Sequence, residues 1–125
     1  MNINSVQQQP TTFKSKVNRS YEALSVLKGL KSKNGTPFGK QIKSLENNGI
    51  PDLVFIGYEA AANDGGKLIM QVIRDAGGNK GYKGVSEVLI GQKSNAVISL
   101  TSMYNDAVKN LNTPISRYKE LSALA

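Results

Sequence analysis

The run Gly77-Gly78-Asn79-Lys80-Gly81-Tyr82-Lys83-Gly84 sets two lysines around a tyrosine among four glycines. Bare backbone of that kind can approach a phosphate closely, with Lys80 and Lys83 neutralising it and Tyr82 stacking on a base. The same composition also makes a long hairpin connection with no ligand. A second set of cations stands upstream. Lys14, Lys16, Arg19, Lys28, Lys31, Lys33, Lys40 and Lys43 face only Glu22 and Glu46 within the first half of the chain, where nearly all of the net charge of +7 is concentrated. Laid along two helices, such a stripe would attract nucleic acid or another polyanion, with an affinity that falls steeply as salt rises. Thirteen lysines against three arginines leave few of the forked contacts that read bases or grip single phosphates. Any binding of this sort is therefore expected to be non-specific.

Other chemistries find little support. Cysteine and histidine are absent, which removes disulfides, thiolate nucleophiles, the commonest metal ligand and the commonest acid/base near neutral pH. Gly35-Thr36-Pro37-Phe38-Gly39-Lys40 invites comparison with a phosphate loop. Three residues instead of four separate its glycines, Gln41 stands where Ser or Thr would hold magnesium, and no apolar strand precedes it. Glu59, Asp64, Asp75 and Glu87 have no spacing that pairs them as acid and base or gathers them around a cation. Asp64 and Asp75 stand in turns, where aspartate usually serves the local backbone. Ser94 and Ser99 lack a base to activate them. The chain is expected to be no enzyme and to carry no catalytic residue, cofactor or metal.

The elements that position these residues follow from periodicity. Residues 1–16 are expected to form a flexible polar and basic tail, with Phe13 as a lone apolar anchor, and residues 17–125 a single α+β domain. Val17, Tyr21, Leu24, Leu27 and Leu30 recur at spacings of three and four and predict a helix over 17–30 that Asn34-Gly35 stops. Thr36-Pro37 opens a shorter helix carrying Ile42 and Leu45. The β-branched and aromatic runs 53–58 and 67–74 flank Asn63-Asp64-Gly65-Gly66 and predict a β-hairpin, with a third strand over 85–91 beyond the glycine run. Ile69, Val72, Ile73 and Ala76 are also helix-spaced, which leaves an all-α alternative. Val97, Leu100, Tyr104, Ala107, Val108 and Leu111 mark a helix capped by Ser94 or Asn95, and Thr113-Pro114 opens a last one with Ile115, Tyr118, Leu121 and Leu124.

The expected architecture is α-α-β-β-β-α-α, a small three-stranded antiparallel meander covered by N-terminal and C-terminal helices. No apolar run reaches the length that spans a bilayer and the first residues lack a secretory pattern, so a cytoplasmic chain without a membrane span is expected. The function expected first is a protein-interaction module, because exposed sheet edges add a strand from a partner or pair with a second copy. The alternative is non-specific nucleic-acid or polyanion binding through the basic N-terminal helices.

Overall fold

The β-branched and aromatic residues between Leu53 and Ile90 form the three longest strands of a computed structural model, which describes residues 15–60, 65–77, 80–90 and 97–116. In chain order the elements are β1 (Lys16–Arg19), α1 (Tyr21–Lys28), β2 (Lys31–Ser32), a 3₁₀ turn (Lys33–Gly35), α2 (Phe38–Glu46), β3 (Leu53–Ala60), β4 (Gly66–Gly77), β5 (Lys80–Ile90), β6 (Val97–Ile98), α3 (Leu100–Lys109) and β7 (Thr113–Ser116). Five strands make a mixed sheet in the order β1-β3-β4-β5-β7, in which β1 runs parallel to β3 and all other neighbours are antiparallel. The short β2 and β6 pair in parallel as a second, two-stranded sheet.

The molecule is α+β, but the expected three-stranded meander under four helices is corrected, and the all-α alternative with it. Helical spacing misleads at the start of the chain because Ser20 is the cap. Its side chain accepts from the Ala23 backbone N–H at 3.1 Å, so α1 begins at Tyr21. The residues before the cap keep extended backbone. The Lys16 N–H donates to the Asp52 carbonyl and the Ser20 N–H to the Ile56 carbonyl, which fastens β1 alongside β3. Ser15, expected in the flexible tail, is buried, and its hydroxyl donates to the Ile50 carbonyl at 2.6 Å. At the far end Thr113–Ser116 is a strand, since the residue before a proline is pushed out of helical geometry and β5 offers an edge to pair with. Tyr118, Leu121 and Leu124, like Lys14 and Phe13, lie outside the described residues. α3 is capped by Ser99, whose hydroxyl accepts from the Ser102 N–H, and starts at Leu100, because Val97 and Ile98 are taken by β6.

The glycine run is not a long loop. β4 continues to Gly77 and β5 resumes at Lys80, which puts Lys80, Tyr82 and Lys83 on a strand. The register shifts between Asp75 and Gly77, where Gly77 has φ of 97° and donates its N–H to Asp75 Oδ1 at 2.8 Å. Few residues with a side chain accept that backbone region.

Alternation along the long strands sorts their side chains into two faces. Val54 and Ile56 of β3, with Leu68, Met70 and Val72 of β4, point into one buried cluster with Ala23, Leu27, Ile42, Leu45, Leu100, Met103, Tyr104 and Ala107 of the three helices. Strand geometry thus overrides the helical spacing of 69–76. Leu53, Phe55, Ile69, Gln71 and Val85 occupy the opposite face, and all are half-buried.

Candidate functional site

The five strands differ in length, and that difference leaves backbone unpaired. β5 has 11 residues and β7 only four. β4 pairs with β5 along its whole length, whereas β7 reaches only Lys80–Lys83. Among the described residues no strand lies beyond 84–90, a stretch of high β-propensity reading Gly-Val-Ser-Glu-Val-Leu-Ile.

Which groups of this edge point outward follows from one hydrogen bond. The Asn110 amide donates to the Val85 carbonyl at 3.1 Å, from the side away from β4. In an antiparallel ladder both backbone groups of a residue point the same way, and the direction alternates along the strand. Val85, Glu87 and Leu89 therefore face outward, while Ser86 and Val88 bond to β4. The same alternation makes Tyr82 and Pro114 a non-hydrogen-bonded pair, where proline's missing N–H costs nothing. Glu87 and Leu89 thus present two N–H and two C=O groups. Leu89 is 78% exposed.

α3 runs beside this edge and makes it a groove of about 650 Å³, with Val85, Ser86 and Glu87 on one wall and Asp106, Lys109 and Asn110 on the other. Four features hold the helix in place. The Ser86 hydroxyl donates to the Met103 carbonyl at 2.7 Å. Gly84 lies so close under the helix end that a Cβ there would stand 1.9 Å from the Ala107 carbonyl oxygen. Further along, Tyr104 donates its hydroxyl to Asp52 Oδ2 at 2.5 Å, and Asp52 also receives Nε and Nη2 of Arg74 at 2.9 Å each. At its N-terminus, α3 is tied to α2 by Gln41, whose Oε1 accepts the Leu100 N–H at 2.7 Å.

Burial, then the bond to Asp52, holds the Tyr104 phenol above its ordinary range. A group whose folded pKa is raised contributes stability that is whole below its unfolded pKa and lost as pH climbs through the folded one. Stability is therefore expected to fall above about pH 10. Lys67 contributes in the same direction. Its ammonium is held high mainly by hydrogen bonds to Glu87 and then Glu59, at 3.1 and 3.4 Å. Urea melts at stepped alkaline pH are expected to show a shallower fall for Tyr104→Phe, with the Lys67 share remaining. An unchanged slope would remove Tyr104 from the account.

The predicted anion-binding residues do not gather on one face. Lys33 and Lys40 share a pocket of about 460 Å³ with Thr36, Ser44, Ser99 and Thr101. Lys80 and Tyr82 line another, of about 560 Å³, with Pro114 and Ile115. Lys16 and Arg19 are on a strand rather than a helix, Lys28 closes α1, Lys31 is on β2 and Lys43 on α2, all exposed. The register puts Lys16 and Lys83 on the sheet face away from the helices. Among the carboxylates, Glu59 and Glu87 share Lys67, Asp75 serves the Gly77 turn, and Asp64 lies outside the described residues. Sequence reasoning gave no site role to Asp52, Gln41, Arg74 and Tyr104, which are joined to one another and to Leu100 by bonds spanning 22 to 59 residues. Pro51-Asp52 ahead of an apolar strand was the only local signal, and it resembles any turn.

No family model, no curated protein and no solved structure matches this chain.

Proposed function

We propose that the protein is a non-enzymatic interaction module that takes an extended segment of a protein partner onto the free half of β5. The outward backbone groups of Glu87 and Leu89, beside a groove walled by α3, carry this reading. Main-chain bonds to an added strand supply affinity, and side-chain pockets along the groove supply selectivity. The lysines' distribution over both sides of the sheet favours a protein partner over one broad polyanion surface.

Peptide selection on the intact chain tests it. Proline at Leu89 removes only an outward N–H, so Leu89→Pro is expected to change stability by less than about 1 kcal/mol while abolishing edge binding. Val88→Pro removes a bond to β4 and is expected to cost about 1–3 kcal/mol. Selected peptides that bind the wild type and lose an order of magnitude on Leu89→Pro support the module. Failure to select any, or indifference to the substitution, overturns it.

A second reading keeps the Lys33 and Lys40 pocket as a small anionic site, supported by its two cations and its hydroxyl lining. Engagement of two phosphates gives a log–log salt slope for DNA of about −2, against about −7 for all eight N-terminal cations. Fluorescence anisotropy at stepped salt checks this. A slope near −2 that disappears in the Lys33→Ala, Lys40→Ala double variant supports the pocket, and a steep slope indicates a broad surface.

A further inference from the structure

We infer that the cleft between α2 and the start of α3 takes a small phosphate monoester with a hydroxyl-bearing body, a sugar or polyol phosphate; this rests on the reading of the Lys33 and Lys40 pocket as an anionic site. The fold builds the cleft from segments far apart in the chain. β2 and β6 pair in parallel, Lys31 beside Val97 and Ser32 beside Ile98, so the residues that follow, Lys33 and Ser99, leave the small sheet side by side. Gln41 then joins both to α2. Its side chain is buried, with Nε2 donating to the Thr36 carbonyl at 3.0 Å and Oε1 accepting the Leu100 N–H at 2.7 Å. One amide thereby fixes the entry of α2 against the first turn of α3, and the walls it fixes carry Lys33 and Lys40.

The lining decides the class of ligand. It holds two cations and no carboxylate, and neither lysine has an ion pair among the described residues. Two like charges in one recess favour an anion between them, and a phosphate monoester brings about 1.5 to 2 negative charges and three acceptor oxygens near neutral pH. No aromatic or apolar side chain lines the cleft, so a nucleobase finds nothing to stack on. At about 460 Å³ the cleft has the size of a small-molecule site, with space beside a phosphate group. Thr36, Ser44, Thr101 and Ser102 surround that space with hydroxyls. A body of hydroxyls can pair with such walls, whereas an apolar body would leave them unpaired.

Titration of the isotope-labelled full chain with glycerol phosphate and with glucose phosphate, followed by amide chemical shifts at constant ionic strength, tests the inference. Expected are saturable shifts at Lys33, Thr36, Lys40 and Thr101, with at least one ester binding about tenfold or more tighter than inorganic phosphate, unphosphorylated glucose or adenosine monophosphate. Lys33→Gln with Lys40→Gln is expected to weaken that binding by at least about tenfold, since each removes a charge-assisted bond, with circular dichroism unchanged. Lys43→Gln, on α2 but outside the cleft, is expected to bind like the wild type. Inorganic phosphate that binds as tightly as both esters and is lost in the double variant overturns the hydroxyl-bearing body and leaves the anionic site standing. Tighter binding of adenosine monophosphate overturns the sugar or polyol in favour of a nucleotide. Saturable binding that is indifferent to the double variant, or no binding of any probe at millimolar concentration, overturns the inference and the anionic site together.

Discussion

Replacing Asp52 with alanine is expected to destabilise the fold by about 3–5 kcal/mol, the range for breaking a buried ion pair by removing one partner. The Asp52 side chain is fully buried, and its two oxygens receive both Arg74 nitrogens and the Tyr104 hydroxyl. Without it the guanidinium has no counter-charge in its pocket, and the buried phenol loses its acceptor. Arg74 is 35% exposed, so water reaches part of the orphaned charge and the cost is expected toward the low end. Against a total stability of about 5–15 kcal/mol for a domain, that is still a large share. Thermal melts should show a midpoint about 10–20 °C lower. Tyr104→Phe removes the hydroxyl's bonds to Asp52 and Arg74 and leaves the ion pair intact, with an expected cost of about 1–2 kcal/mol. The double variant should cost less than the sum, because both changes remove the same bond. A loss below about 1 kcal/mol for Asp52→Ala would show that the carboxylate is dispensable.

Gly84→Ala is expected to be comparably damaging for a steric reason. The new methyl would stand 1.9 Å from the Ala107 carbonyl oxygen and 3.0 Å from backbone carbons of Ala107 and Asn110. All three are backbone atoms, so no rotamer change relieves the clash and the end of α3 must lift off β5. Overpacking usually costs about 1–3 kcal/mol, and a rigid obstacle places this variant at or above that range. Gly57→Ala is the control. There the nearest atom is the edge of the Phe55 ring at 3.3 Å, and alanine recovers some strand preference lost to glycine, so a change within about 1 kcal/mol is expected. Urea denaturation of the two variants side by side decides the matter. Near-equal stabilities would mean that α3 does not rest on β5 as closely as the structure places it. Lifting α3 also opens the groove, so peptide binding should weaken in Gly84→Ala even where the chain remains folded.

The two substitutions probe the parts of the molecule least visible in the sequence. Asp52 looks like a turn residue after Pro51, and its partners on β4 and α3 are 22 and 52 residues away. Gly84 reads as one more glycine of a loop, because the Cβ it lacks matters only to a helix that arrives later in the chain. The bare edge of β5 escaped for a similar reason. Its residues are legible as a strand, but the edge exists because β7 begins only at Thr113, opposite Lys83, and nothing local to 84–90 records that.

What the sequence determined on its own was local chemistry and pattern. Without cysteine or histidine, whole classes of reaction have no residues to run them. Turn residues around Asp64, alternation through 53–90 and cap-and-stop signals around 37–47 mark the central strands and α2. Tertiary structure decided the rest. Lys16–Arg19 and Thr113–Ser116 become strands only because β3 and β5 offer them backbone partners. A four-residue segment has too few local interactions to choose its own conformation, so the neighbour's unpaired N–H and C=O groups choose for it. The lysines of the first half likewise scatter over both sides of a sheet once their segment divides into two strands, two helices and a turn. Charge is a property of the sequence, but a charged surface is made by the packing that decides which cations come to stand together.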